Sequence, residues 1–134
     1  MIKKLVLLLF ICHLLTGCKQ DDQVSPKTYL IPIGYTGWVK VQYEDGPINT
    51  STSKPDEYRV NKDGIAITHD PHIHEGWATN HYYYVDQKGK RTKLVPGKMV
   101  HGSSSGMEQG GETTEYFYIG TSEQFEKDHY ISNE

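Results

Sequence analysis

Hydrophobic and polar positions change rhythm once, early in this chain. From Leu5 to Leu15 the residues are apolar almost without a break, interrupted by His13 and preceded by Lys3 and Lys4. From Tyr29 onward the pattern becomes short alternating segments punctuated by Gly, Pro, Asn and Asp. Alternation with a period of two marks a half-buried strand, because successive side chains point to opposite faces. Val39, Val41 and Tyr43 thus share one face of a strand over residues 38–43, with Trp38, Lys40 and Gln42 on the other. Residues 28–32 read as a short strand that Pro32 ends or confines to a sheet edge.

Residues 57–60 and 65–68 flank Asn61-Lys62-Asp63-Gly64. Asp-Gly between two alternating runs predicts a hairpin, because both residues tolerate positive φ. Tyr58 and Val60 would then share a face with Ile65 and Ile67. A second hairpin is expected from residues 81–86 and 90–95, turned by Gln87-Lys88-Gly89. Residues 69–76 form a loop broken by Pro71, residues 98–101 a brief strand, and the Gly/Ser-rich stretch 102–112 a mobile loop. A last strand covers residues 114–119. Thr121 and Gln124 stand at capping-box spacing, so a short helix should follow from 122 to about 129. Many short strands with close turn signals predict an all-β fold: a small antiparallel β-sandwich, Ig-like or transthyretin-like, or a partly closed barrel, with a short C-terminal helix.

The apolar run at the start is too short to span a bilayer as a helix, which needs about 20 residues. A basic start, a short apolar core and small residues before a cut describe a secretory signal peptide. Its end, Leu15-Thr16-Gly17-Cys18, resembles the bacterial lipobox. That resemblance implies cleavage between Gly17 and Cys18, with Cys18 acylated and first in the mature chain. Two or more acyl chains hold a protein stably on a membrane, where one does so only marginally. The chain divides accordingly into a lipoprotein signal peptide (1–17), a lipidated Cys with a polar tether (18–27) and one β-rich domain (28–134). The tether residues 19–27 reach at most about 30 Å when extended. Lys19-Gln20-Asp21-Asp22 resembles the surface-export signal of Bacteroidota lipoproteins, with Gln20 interrupting it. The expected location is the bacterial cell envelope, lipid-anchored and extracytoplasmic, with the outer membrane or cell surface as candidate places.

Removing the signal leaves 117 of 134 residues, enough for one domain with a workable core. Cys12 departs with the signal and Cys18 is acylated, so the domain has no disulfide to rely on. Without Lys3 and Lys4, 12 basic residues face 17 acidic ones, a formal charge of −5. An acidic domain of this kind is a poor partner for nucleic acid. A monomer is expected.

Several short motifs follow one another along the chain: Tyr29-Leu30-Ile31-Pro32, Gly34-Tyr35, Gly37-Trp38-Val39, Gly76-Trp77-Ala78, Tyr82-Tyr83-Tyr84, Gly89 with Arg91, and Tyr118-Ile119-Gly120-Thr121. Together they resemble a bacterial extracytoplasmic domain family of unknown function, whose members are small secreted proteins and lipoproteins. The resemblance spans most of residues 28–125. It implies a compact strand-rich domain and carries over no activity.

Candidate chemistry is sparse. Gly102-Ser103-Ser104-Ser105-Gly106 matches the letters of a nucleophile elbow, but that motif needs a strand–turn–helix on a large α/β sheet. His69, His72, His74 and His81 are candidate ligands for a divalent metal, since His72 and His74 would share a face of an extended loop beside Asp70 and Glu75. Trp38 and Trp77 are candidate ligand-binding residues, able to stack on a sugar or peptidoglycan ring; core packing is the commoner fate of such residues. Lys88, Lys90, Arg91 and Lys93 make a basic hairpin. The expected function is a lipid-anchored, non-catalytic binding or interaction module, with an envelope glycan or protein as candidate partner and no cofactor. The alternatives are a weak divalent-metal-binding lipoprotein using the 69–81 region and a hydrolase of envelope polymers. The hydrolase is disfavoured because no nucleophile–base pair stands out.

Overall fold

The structure, a computed structural model, describes residues 21–46, 54, 56–70, 76–107 and 113–128. Within them lie β1 (Thr28–Pro32), β2 (Gly37–Tyr43), β3 (Glu57–Arg59), β4 (Ile65–Thr68), β5 (His81–Val85), β6 (Arg91–Leu94), β7 (Val100–Met107), β8 (Thr113–Ile119) and a helix α1 (Ser122–Lys127). The strands form two four-stranded sheets, ordered β3-β1-β5-β6 and β4-β2-β8-β7. This is the expected all-β sandwich with a short C-terminal helix, and neither sheet closes into a barrel. The sheets are mixed and not purely antiparallel. β1 runs parallel to both β3 and β5, and β2 parallel to β4, while β5–β6, β2–β8 and β7–β8 are antiparallel.

Two of these parallel pairs, β1–β3 and β2–β4, come from a departure at Asp63-Gly64. Residues 57–60 and 65–68 do not form a hairpin, because β3 joins one sheet and β4 the other. The turn is real: the Asn61 side chain accepts from the Asp63 and Ile65 N–H groups, and Gly64 N–H donates to Asn61 O. Beyond the turn, the arms find earlier partners. Val60 N–H donates to Leu30 O, and Gly64 O accepts from Lys40 N–H. The connection is therefore an arch laid on the β1-to-β2 arch, each leg in parallel register with the leg beneath. Every buried backbone group needs a partner, and β1 and β2 supply those partners to both arms. The facing residues also change. Ala66 and Thr68 point inward with Tyr58 and Val60, while Ile67 stands 51 % exposed.

The stretch 102–107 is likewise not a loop. It is the body of β7, the longest strand, paired to β8 with a register shift between His101 and Ser104. Small residues suit this place. A Cβ on Gly102 (φ +60°) would come within 2.8 Å of the Phe125 ring and 3.1 Å of Trp38, so the bulge needs glycine. The β5–β6 hairpin forms as expected. The helix starts with the predicted capping box, Thr121 accepting from Gln124 N–H and Gln124 accepting from Thr121 N–H.

The core lies between the sheets. Tyr29, Ile31, Tyr58, Val60, Tyr82 and Leu94 face Val39, Val41, Ala66, Val100, Phe117 and Ile119. Its centre is a ladder of tyrosines held by strand register: Tyr58, Tyr29 and Tyr82 are direct neighbours across β3, β1 and β5. Tyr29 stacks on Tyr58 at 5.5 Å and on Tyr82 at 5.1 Å between centroids, and Phe117 meets Tyr29 and Tyr82 edge-on at 4.9 and 5.1 Å. Such pairs contribute about 0.5–1.5 kcal/mol each beyond the area they bury.

Candidate functional site: a cleft over a buried carboxyl

Tyrosine differs from phenylalanine by a hydroxyl, and a buried hydroxyl needs a partner. The ladder meets this need at one end. Tyr29 Oη lies 2.9 and 2.8 Å from the two oxygens of Glu115. The Tyr82 hydroxyl is set beside the polar side chains of Ser103 and Asn80, and that of Tyr58 beside Thr68. Glu115 occupies an inward position of β8, in the same register as Phe117 and Ile119, and is only 8 % exposed.

Burial pushes the Glu115 carboxyl above its ordinary pKa, against the opposing effects of the Tyr29 hydrogen bond and the Lys27 charge. Burial and the neighbouring Glu115 raise Tyr29 well above the usual phenol value. A phenol has one proton, so Tyr29 can donate to only one carboxylate oxygen at full strength. The second short distance is met when Glu115 is protonated and donates back to Tyr29 Oη.

Above this pair the sandwich is open. A cleft of about 430 Å³ is lined by Lys27, Trp77, Asn80, Tyr82, Ser103 and Glu115, among others. One wall is the segment leading into β5, and the residues before β1 fasten that wall. Gln23 N–H donates to Trp77 O at 2.7 Å, Trp77 N–H to Gln23 Oε1 at 3.1 Å, and Thr79 N–H to Asp22 Oδ1 at 2.6 Å. Lys27 N–H donates to Asn80 Oδ1, and His81 N–H to Lys27 O. Gly76 (φ +78°) lets the two segments meet, since a Cβ there would stand 2.5 Å from Val24 Cγ1. The supposed tether is therefore bound to the domain from Asp22 onward, because these backbone groups pair with the wall and not with water.

The sequence candidates separate. Trp77 lines the cleft and is 41 % exposed. Trp38 lies elsewhere, on the outer face of the second sheet. It packs edge-on against Tyr118 and Phe125, and its indole N–H donates to Asp128 O at 3.1 Å. The Ser-rich motif runs within β7, with Ser103 and Ser104 on the cleft wall; it is a strand and makes no elbow. His69 sits beside Glu44, Nδ1 2.7 Å from its carbonyl oxygen, while His81 begins β5 opposite Thr28. His72 and His74 lie outside the described residues. Among the described residues no group of three His, Cys, Asp or Glu could hold a metal. In the basic hairpin, Arg91 pairs with Glu57 at 2.9 Å. Cys18 and Gly17 also lie outside the described residues.

Sequence reasoning passed over Glu115, Tyr29, Lys27 and Asn80. Glu115 left a trace: an acid in the apolar register of Phe117 and Ile119 is a buried carboxyl waiting for a partner. Tyr29 left none, since its hydroxyl looks the same whether it is paired or solvated.

Fold and site together define a two-sheet β domain with a cleft over a tyrosine-bound carboxyl. The chain belongs to the family of unknown function DUF6843, whose model matches residues 23–130. Among solved structures, the chain is similar to a candidate lipoprotein from Bacillus anthracis, at 23 % identity and a TM-score of 0.57, over 81 % of this chain and 82 % of that one. At that identity the likeness is one of fold. No curated protein matches the chain.

Proposed function

We propose that this protein is a lipid-anchored, extracytoplasmic binding module, not an enzyme, and that the cleft is its binding site. The observation that carries the reading is the half-exposed Trp77 ring on a cleft whose other walls present amide, hydroxyl and carboxyl groups. An apolar face beside a few fixed polar groups is how small-ligand sites are built. A binding role fits better than catalysis because, among the described residues, Glu115 is the only carboxyl lining the cleft and is already bonded to Tyr29. The anchor reading is supported by Leu15-Thr16-Gly17-Cys18 and agrees with the description of the similar Bacillus anthracis protein.

Two experiments in cells test the two halves. An alkyne fatty acid should label the wild-type chain and not Cys18→Ala; equal labelling would remove the anchor. A photo-crosslinking residue at Ser104, on the cleft wall, should capture an adduct that the same residue at Glu126, on the exposed side of α1, does not. Matching adducts from both positions would mean the cleft is not the binding site.

A further inference from the structure

The place where the N-terminal segment meets the fold has a geometric consequence. Gln23 is fastened to Trp77 through its N–H and its side-chain amide, and Asp22 to Thr79. Cys18 is five positions before Gln23. Whatever path the chain takes between them, covalent geometry limits their separation to at most about 18 Å. An acyl group on Cys18 lies in the hydrocarbon of a bilayer, so the rim of the cleft must lie close to the headgroups above it. A headgroup layer is itself several Å deep, which takes up part of that reach.

The chemistry of the rim suits this place. Of the large hydrophobic residues exposed among the described residues, Trp77 and Val95 belong to this end of the fold. Trp77 lines the cleft, and Val95 directly precedes Pro96, which lines it too. Lys27 lines the same cleft, and Lys98 is exposed three positions after Val95. Tryptophan prefers the membrane–water boundary, where its ring is apolar and its N–H stays hydrated, and lysine favours phosphate headgroups. An exposed tryptophan beside aliphatic residues is unfavourable in water and favourable at such a boundary.

We infer that the cleft end of the sandwich docks on the bilayer that holds the anchor, with Trp77 at headgroup depth. The partner is the phospholipid surface itself, and any ligand of the cleft is drawn from that surface. The inference rests on the acylation of Cys18 proposed above. It adds an orientation that the anchor alone does not require, since a free tether would leave the domain tumbling above the membrane.

The test uses the full acylated chain in vesicles of phosphatidylcholine with a minor fraction of phosphatidylglycerol, some of the lipids brominated near the headgroup end of the acyl chain. Bromine quenches only indoles within contact range. Trp38 is packed under Phe125 and serves as an internal reference. Wild-type fluorescence should fall by about half in brominated vesicles, the share of one tryptophan in two, and Trp77→Phe should lose that quenching while still floating with the vesicles. Trp77 is exposed, so the substitution leaves the core untouched. A chain with no acyl mass that stays off the vesicles overturns the anchor and this inference together. An acylated, vesicle-bound chain whose quenching is the same in wild type and Trp77→Phe overturns the docking alone.

Discussion

The two faces of β8 carry two aromatic clusters with opposite fates. Inward, Glu115, Phe117 and Ile119 meet the tyrosine ladder, and at the Glu115 end the sheets part into the cleft. Outward, Tyr118 packs with Trp38 and Phe125 under α1, and His101 stacks on Phe125 at 5.2 Å. Both clusters are built of aromatic rings, and each holds one group that can ionise, Glu115 in the inner cluster and the His101 ring in the outer one. The difference lies in what closes them. The outer cluster has a helix set down on it by Gly120 and the Thr121 cap, and the bulge at Gly102 makes room for Phe125 and Trp38. The inner cluster ends where the described residues around it are mostly small or polar, among them Ser103, Ser104, Asn80 and Ala78, beside the half-exposed Trp77. An aromatic cluster becomes a candidate site when its neighbours are too small and polar to cover it.

The sharpest way to break this comparison is to hollow each cluster in turn. Phe117→Ala removes a ring with no exposed surface that touches both Tyr29 and Tyr82, and should cost about 3–5 kcal/mol in urea unfolding. Phe125→Ala, at the half-buried centre of the outer cluster, should cost about half of that. Equal losses would make the outer cluster a second core and not a covering.

A smaller effect separates the clusters by pH. In the folded chain the Glu115 pKa is raised by burial, so the unfolded chain ionises first as pH rises. Below the unfolded carboxyl value, about 4.3, Glu115 is protonated in both states and contributes no slope. Above it, stability falls until the pH passes the folded value and then levels off. Glu115→Gln keeps an acceptor for Tyr29 and removes that fall. Its stability relative to wild type should therefore rise through the window above about pH 4.3 and then stay constant. A flat difference across that window would show that Glu115 is not desolvated by the fold.

The smallest effect is expected at the tryptophan on the rim. Trp77→Ala should change unfolding stability by less than about 0.5 kcal/mol, as at an ordinary exposed position. Trp38→Ala should cost about 2 kcal/mol, through two lost ring contacts and the lost bond to Asp128. Comparable losses would place Trp77 in the packing and weaken its role in the cleft.

How much of this was legible in the sequence differs from element to element. Alternation at residues 39–43, the aromatic and apolar run at 116–119, the Gln87-Lys88-Gly89 turn and the Thr121–Gln124 cap are local signals, and they specified β2, β8, the β5–β6 hairpin and α1 without help from the rest of the chain. The Asp63-Gly64 turn was equally local, but a reversal does not say whether its arms pair with each other or with earlier strands. That choice belongs to β1 and β2, whose free edges accept β3 and β4 in parallel. The Gly/Ser run at 102–107 read as a loop because composition ignores the partner strand that holds it extended. The cleft was the least legible. Lys27 and Tyr29, Trp77, Ser103 and Glu115 come from four separate stretches of the chain. Only tertiary packing turned an acid in an apolar register into a tyrosine-bound carboxyl beneath an open wall. A side chain's pKa, exposure and partners are set by what surrounds it in space, while sequence spacing reports only what lies along the chain.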